Sequence, residues 1–129
     1  MSTTTTDLHR GDVVLIAFPF LAEGQPLRKR RPAVIVQADR YNRRRDAIVI
    51  AAITSSLGHK ELPSRVFVRK NTVAGRQGGL RLDSVVDCQT LATVPRAEIV
   101  RRLGTLPPKT MGQIDRALMD ALALLTGFR

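Results

Sequence analysis

Basic side chains are concentrated between residues 28 and 45 of this 129-residue chain. This stretch holds eight of them, with Asp39 as the only acid: Arg28, Lys29, Arg30, Arg31, Arg40, Arg43, Arg44 and Arg45. A guanidinium presents a planar set of donors that fits the oxygens of a phosphate. Because the whole chain has 21 Lys and Arg against 11 Asp and Glu, a net charge of +10, its composition favours a nucleic acid or an acidic protein as partner. The alternative is a pair of solvated basic loops without a ligand.

Signatures of nucleophilic and metal-dependent enzymes are missing from the sequence, which has no P-loop, no G-x-S-x-G elbow and no H-E-x-x-H. An RNA substrate, however, supplies its own nucleophile, the 2′-OH. One guanidinium and one hydroxyl donor, placed at the phosphate, supply most of the stabilisation that the transition state needs. The residues are therefore compatible with RNA cleavage without a metal or a cofactor. Glu23, Asp39 and His59 remain candidates for the general base.

Most of the chain shows the short apolar runs of β-strands. Strands are predicted at residues 13–18, 32–37, 47–53, 65–70, 80–88, 91–94 and 99–103. The run at 47–53 is continuously apolar, which is typical of a central strand buried on both faces. The period then changes, and apolar residues at spacings of three and four predict one helix: Met111, Ile114, Leu118, Leu122 and Leu125. Pro107 and Pro108 suit its start and Gly127 its end.

Length and composition favour one small domain that is mainly β. We expect a flexible polar tail over residues 1–10 and a single domain over residues 11–129. Many short strands and one terminal helix predict a barrel-like sheet capped by that helix. A single cysteine, Cys88, and the lack of a signal peptide or a membrane-length apolar run predict a cytoplasmic protein without membrane contact.

Six short motifs, in one colinear order, resemble the MazF/PemK family of toxins. They are Gly11-Asp12 before a hydrophobic strand, Arg31-Pro32 at the start of the second strand, Tyr41-Asn42, Ile53-Thr54-Ser55-Ser56, Asp83-Ser84-Val85-Val86 with Gln89, and Gly104-Thr105-Leu106. Each motif is weak alone, but their shared order along residues 10–125 is specific.

This resemblance implies an SH3-like barrel of short, mostly antiparallel strands with a C-terminal helix, and a homodimer silenced by an acidic antitoxin. It implies sequence-directed cleavage of single-stranded RNA through attack by the 2′-OH, with Arg31 and Thr54 as catalytic residues. The basic loops and the matched motifs provide the candidate RNA-binding residues: Arg28, Lys29, Arg30, Tyr41, Asn42, Arg43, Arg44, Ser55, Ser56 and Gln89. Two alternatives stay open, a non-catalytic toxin similar to the CcdB inhibitors of DNA gyrase and an inactive RNA-binding relative.

The chain departs from the family pattern in two places. The first loop reads Ala22-Glu23-Gly24-Gln25 where the family usually has Gly-Ser-Glu-Gln, so recognition of bases differs there. Some relatives carry Arg-Cys-Asp where this chain has Asp87-Cys88-Gln89, and only the cysteine agrees. We therefore expect Cys88 to be a buried strand residue and not a catalyst.

Overall fold

The computed structural model describes residues 7–17, 20–22, 25–27 and 30–124, with side chains described for 7–17 and 30–124. In chain order its elements are β1 (Asp12–Ile16), β2 (Phe20–Ala22), β3 (Gln25–Leu27), β4 (Arg31–Ile35), α1 (Asp39–Asn42), β5 (Ala47–Thr54), β6 (Arg65–Val68), α2 (Val73–Gln77), β7 (Ser84–Pro95), a 3₁₀ turn (Arg96–Glu98), β8 (Ile99–Thr105) and α3 (Pro108–Leu122).

Six of the strands form one antiparallel sheet in the order β6-β7-β5-β4-β1-β8. β2 and β3 form a separate two-stranded hairpin. The continuous apolar run becomes β5, which lies between β4 and β7 in the middle of the sheet. The expected fold, mainly β with a C-terminal helix, is therefore confirmed.

Neighbouring residues of the strands alternate between two apolar clusters, because successive side chains of a strand point to opposite faces. Val13 belongs to the first cluster, which also contains Ile114 and Ala117 of α3. Val14 belongs to the second, whose members come from five strands and are nearly all fully buried: Val14, Ile16, Ala33, Ile35, Ile48, Ile50, Val94 and Ile99, together with Leu8. The strands β1, β4, β5, β7 and β8 therefore all contribute to the second cluster.

The N-terminal residues from Asp7 are part of this packing. Leu8 is 4% exposed and lies in the second cluster. The buried carboxylate of Asp12 accepts hydrogen bonds from the backbone N–H of His9 (2.8 Å), the Thr105 hydroxyl (2.9 Å) and the Arg102 guanidinium (3.3 Å). The Gly-Asp motif thus ties the start of β1 to the end of β8, and packing begins before the expected domain boundary at residue 11.

Several expected loops contain regular structure. The segments between the predicted strands hold the β2–β3 hairpin, α1 and α2. Two strands predicted at 80–88 and 91–94 are one strand, β7, whose pairing with β5 jumps from Asp87 to Leu91. Residues 80–83 precede that strand as a loop. The predictions failed here because a bulge and short capped turns leave little trace in hydrophobic periodicity.

α3 confirms the predicted C-terminal helix but ends earlier than expected. It begins at Pro108 and ends at Leu122, after which Ala123 takes a left-handed conformation (φ 55°). The stop expected at Gly127 is therefore wrong, and Leu125 lies outside the described residues. Leu122, expected on the buried face, is 51% exposed. Among the described residues, no helix is long and apolar enough to cross a membrane.

Candidate active site

The strand register brings Arg31 and Thr54 together at one end of the sheet. β4 pairs with β5 so that Ala33 lies opposite Ala52, and continuing this register by two residues places Arg31 opposite Thr54. Residues directly opposite each other in an antiparallel pair project from the same face. Both side chains line one groove with a volume of about 420 Å³.

The groove is lined by apolar side chains and by cationic and hydroxyl groups. The apolar lining residues are Leu15, Pro32, Ile53, Leu80, Leu82 and Leu103. The more exposed polar lining residues, which we call the rim, are Arg30, Arg31, Arg81, Arg101, Thr54 and Ser55, and the buried Ser84 also lines the groove. Of these leucines, Leu82 is 57% exposed. An exposed apolar surface suits the face of a base, while guanidinium groups suit phosphate oxygens. The lining therefore matches the two chemical parts of a single-stranded nucleic acid.

None of the acids whose side chains the structure describes forms an ion pair with an arginine of the groove. The ion pairs of the described residues join Asp7 to His9, Arg10 to Asp115, Arg65 to Asp87 and Arg102 to Asp12. None of them involves an arginine of the rim. A concave surface that carries charge of one sign concentrates counter-ions of the other. The groove is thus built to attract an anion.

The Thr54 hydroxyl is oriented by the turn that follows β5. The backbone N–H of Ser56 donates a hydrogen bond to Thr54 Oγ1 at 3.0 Å. This contact occupies a lone pair of the oxygen and leaves the O–H free to donate. Thr54 is half-buried at the end of the central strand, so its donor is held by a rigid element and points from the groove wall.

One wall of the groove is formed by residues 79–82, which pack backbone to backbone against β8. Gly79 has a φ of 71°, and a Cβ there would collide with the carbonyl oxygen of Leu103. A Cβ on Gly104 would collide with the carbonyl oxygen of Gln77. The two glycines therefore permit a close approach that any other side chain would prevent. This approach fixes the loop that presents Arg81 and Leu82 to the groove.

Comparison with known proteins assigns the family. The family model for PemK-like and MazF-like toxins of type II toxin–antitoxin systems matches residues 9–122. The chain belongs to the PemK/MazF toxin family. Endoribonuclease MazF6 of Mycobacterium tuberculosis and Endoribonuclease MazF2 of Mycobacterium bovis are each 37% identical over 97 residues, which cover 74% of this chain and 81% of the relative. The toxin endoribonuclease expected from the sequence is thereby confirmed at the level of the family.

Solved structures of the same family share the fold. A mycobacterial endoribonuclease solved with its cognate antitoxin superposes with a TM-score of 0.70 at 24% identity, covering 92% of this chain and 97% of that one. MazF of Deinococcus radiodurans gives a TM-score of 0.68 at 19% identity, covering 90% and 96%. The six-stranded sheet and C-terminal helix of this toxin are therefore the family's architecture.

Part of the predicted RNA-binding set lies at the other end of the toxin's sheet. Tyr41 and Asn42 belong to α1, Arg43 is its C-cap, and Arg44 follows in the turn before β5. This segment precedes the first residue of β5, whereas Thr54 is the last residue of that strand. Asn42 is 1% exposed, and its amide donates to Gln37 O (2.9 Å) and Asp39 Oδ1 (3.1 Å) and accepts from Gln37 Nε2 (3.0 Å). The structure thus uses the Asn42 side chain to anchor α1, whereas Tyr41 is 43% exposed.

The other predicted RNA-binding and catalytic residues lie in three places: in the groove, elsewhere in the fold, or outside the residues that the structure describes. Arg30, Arg31, Thr54 and Ser55 line the groove, and Ser56 supports Thr54 through its backbone. Gln89 lies on the irregular part of β7, where it accepts a hydrogen bond from Ser64 (3.1 Å). Arg28 and Lys29 lie outside the described residues.

The three candidates for the general base are not found together in the structure. Glu23 lies outside the described residues, and His59 is in an exposed turn that does not line the groove. The backbone N–H of Arg10 donates to Asp39 at 2.6 Å, and this contact lowers the pKa of the Asp39 carboxyl and ties it to the fold. No carboxylate or imidazole is found among the described residues that line the groove. The described part of the chain likewise contains no cluster of three metal-ligating side chains.

Two arginines of the groove, Arg81 and Arg101, escaped the sequence analysis. Arg101 reaches the groove because it pairs with Leu15 across β1 and β8, a register with two irregularities that no sequence pattern reveals. Arg81 stands between Leu80 and Leu82 and resembled an outward residue of a strand.

Cys88 is fully buried as expected, and burial, followed by the charge of Asp87, raises the pKa of its thiol to about 11.

Proposed function

We propose that this toxin cleaves single-stranded RNA in the groove, with Arg31 and Thr54 as its catalytic residues and without a metal ion. The observation that carries the proposal is that Arg31, which forms no ion pair with a described acid, and the hydroxyl of Thr54 line one groove at neighbouring ends of β4 and β5. Those are the two groups needed to stabilise a phosphate that gains negative charge. Each is held at the end of a strand, which preserves its position.

The reaction is a transesterification within the RNA. The 2′-oxygen attacks the adjacent phosphorus and loses its proton to a base, forming the O2′–P bond. The phosphorane then loses the 5′-oxygen, which takes up a proton as the P–O5′ bond breaks. Arg31 stabilises the charge of the phosphorane, and Thr54 donates a hydrogen bond to one of its oxygens. The products are a 2′,3′-cyclic phosphate, or the 3′-phosphate formed from it by water, and a 5′-hydroxyl.

The remaining groove residues hold the RNA on both sides of the scissile phosphate. Arg81 and Arg101 contact flanking phosphates, because they share the rim with Arg31 and have no described acidic partner. The exposed side chain of Leu82 offers a surface for a base. Such contacts bind substrate and transition state alike, so they lower the KM more than they raise kcat.

An acidic antitoxin fits this surface as its inhibitor. A solved structural neighbour from a mycobacterial species is described in complex with its cognate antitoxin. For this chain, a net charge of +10 favours an acidic segment that orders as it covers the arginines of the groove. We expect the toxin to form a two-fold homodimer, as the family resemblance implies, with RNA bound near the shared surface.

The test is cleavage of mixed RNA by the purified protein in the presence of a chelator, followed by mapping of the new ends. We expect 5′-hydroxyl ends, and no cleavage of a substrate with 2′-deoxyribose at the scissile nucleotide. Arg31→Ala should reduce kcat/KM by at least about 100-fold. Cleavage of the deoxy substrate, a requirement for metal, or full activity of Arg31→Ala would exclude this mechanism. Failure to cleave any RNA would instead favour the gyrase-inhibiting or inactive alternative.

A further inference from the structure

A second cationic surface lies on and directly after α1. Its arginines are all exposed, and we call them the α1 arginine cluster: Arg40, Arg43, Arg44 and Arg45. None of them forms an ion pair with a described acid. The neighbouring Asp39 is engaged by the backbone N–H of Arg10 and the amide of Asn42, and the exposed Asp46 forms no ion pair with the cluster. Its positive charge is therefore available to an external anion.

Hydrogen bonds from Arg96 and Asn42 hold the backbone that carries the cluster in place. The Arg96 guanidinium donates hydrogen bonds to the carbonyl oxygens of Asn42 and of Arg45, the latter at 2.7 Å. The buried side chain of Asn42 anchors the same turn to Gln37 and Asp39. Because this segment is already ordered, a ligand that binds it loses little binding energy to ordering the chain.

An aromatic ring accompanies these charges. Tyr41 is 43% exposed, and the Arg40 guanidinium lies 4.7 Å from the centre of its ring. A guanidinium beside an exposed aromatic ring offers planar groups on which a nucleobase can stack. An acidic peptide would use the charges but has no base to stack on the ring. The combination favours a nucleic acid over a protein ligand.

The cluster lies far from the groove. Thr54 is the last residue of β5 and Ala47 the first, and an eight-residue strand of this kind is about 24 Å long. α1 precedes Ala47 and Arg31 adjoins Thr54, so one short stretch of RNA in the groove does not reach the cluster.

We propose that the α1 arginine cluster and Tyr41 form a docking surface for the phosphate backbone and bases of RNA outside the cut site. The proposal rests on the proposed function, since it assumes that the groove holds the scissile phosphate. Its consequence is a substrate preference. Long RNAs engage both surfaces, whereas an oligonucleotide that covers only the cut site engages the groove alone.

The test compares two variants that each remove three positive charges. The first is Arg43→Gln, Arg44→Gln and Arg45→Gln. The control is Lys60→Gln, Lys109→Gln and Arg116→Gln, three exposed residues outside both surfaces. Affinity for a long single-stranded RNA and for a short oligonucleotide spanning the mapped cut site is measured across a salt series, in the Arg31→Ala background so that binding is read without cleavage.

We expect the first variant to weaken binding of the long RNA by about 10- to 100-fold at physiological salt, and the slope of log affinity against log salt to fall by about 2 for three lost phosphate contacts. Its loss for the short oligonucleotide should be at least about tenfold smaller, and the control variant should change either affinity less than about threefold. Adding Tyr41→Ala should weaken binding of the long RNA further.

Several results would overturn the docking proposal. Equal losses for both RNAs would mean that the cluster is part of the cleavage site, and equal losses in both variants would mean that only net charge matters. Weakened binding of an acidic peptide with undiminished RNA affinity would mean that the surface recognises protein. Since these measurements concern binding, their failure is distinguishable from an absence of RNA cleavage, which would refute the proposed function.

Discussion

Replacing Thr54 with Val separates the proposed chemistry from the fold. Valine keeps the shape of the side chain and removes only the hydroxyl. The hydroxyl oxygen accepts one hydrogen bond in the folded protein, from the exposed Ser56 N–H at 3.0 Å. Because water can replace that contact, we expect the free energy of unfolding to fall by less than about 1 kcal/mol. The melting temperature should then fall by only about 2–5 °C.

The effect on the rate should be far larger than the effect on stability. A single donor aimed at the charge that develops in a transition state contributes about 2.7–4 kcal/mol, which corresponds to about 100- to 1,000-fold in kcat. We expect that loss for Thr54→Val under single-turnover conditions on a short RNA, where product release does not limit the rate. KM should change little, since the hydrogen bond strengthens only in the transition state.

Thr54→Ser is the matched control, because it keeps the hydroxyl and removes the methyl group. This variant should retain activity within about tenfold of the parent, well above the valine variant. If Thr54→Val cleaved RNA at the parental rate while remaining folded, the hydroxyl would have no part in the chemistry. A proportionate loss of activity and thermal stability would point to a structural role instead.

Four further predictions concern the groove and the framework. Arg81→Gln and Arg101→Gln should each raise KM for RNA several-fold with little change in kcat, measured by steady-state cleavage. Asp12→Ala should lower the free energy of unfolding by about 3 kcal/mol in chemical denaturation, since it removes a buried carboxylate with three hydrogen bonds. With a thiol pKa of about 11, Cys88 should resist alkylation at pH 8 until the protein unfolds. The pKa of the Asp39 carboxyl is lowered below its ordinary 3.8, so its stabilisation is present above about pH 4 and is lost as the pH falls through the lowered pKa. Thermal melts of Asp39→Asn should accordingly show less acid sensitivity than the parent.

Sequence reasoning succeeded where a strand and a motif coincide. Arg31 and Thr54 stand at the ends of two strongly apolar runs, so their strands and boundaries were predictable within a residue or two. Antiparallel pairing of β4 with β5 brings these strand ends to one groove, and the catalytic role that the family resemblance implies for the two residues stays a prediction. The spacing of apolar residues in α3 predicted its buried face in part: Ile114 is buried, and Met111 and Leu118 pack against the first cluster, whereas Leu122 is exposed.

The other features of the site could not be predicted, because they depend on tertiary contacts that leave no local pattern in the sequence. Arg101 faces the groove only because the β1–β8 register shifts twice along its length. Asn42 was expected on the surface beside three arginines, but its amide finds three partners inside the fold. A polar side chain can be buried when its hydrogen bonds are satisfied, and no sequence pattern says where those partners will be. The arginines of α1 and those of the groove form two surfaces among the described residues, because they lie at opposite ends of β5.

The glycine contacts between the groove wall and β8 have a consequence for altering which RNAs are cut. The base of this wall tolerates no side chain at Gly79 or Gly104, whereas the side chains at its tips, Arg81 and Leu82, are exposed. Substitutions at Arg81 and Leu82 can therefore change which RNA bases the groove recognises, without moving the loop that carries these two residues. A mutant library that randomises residues 81 and 82 while keeping both glycines should yield folded variants with new sequence preferences, and one that randomises the glycines should yield mainly unfolded chains.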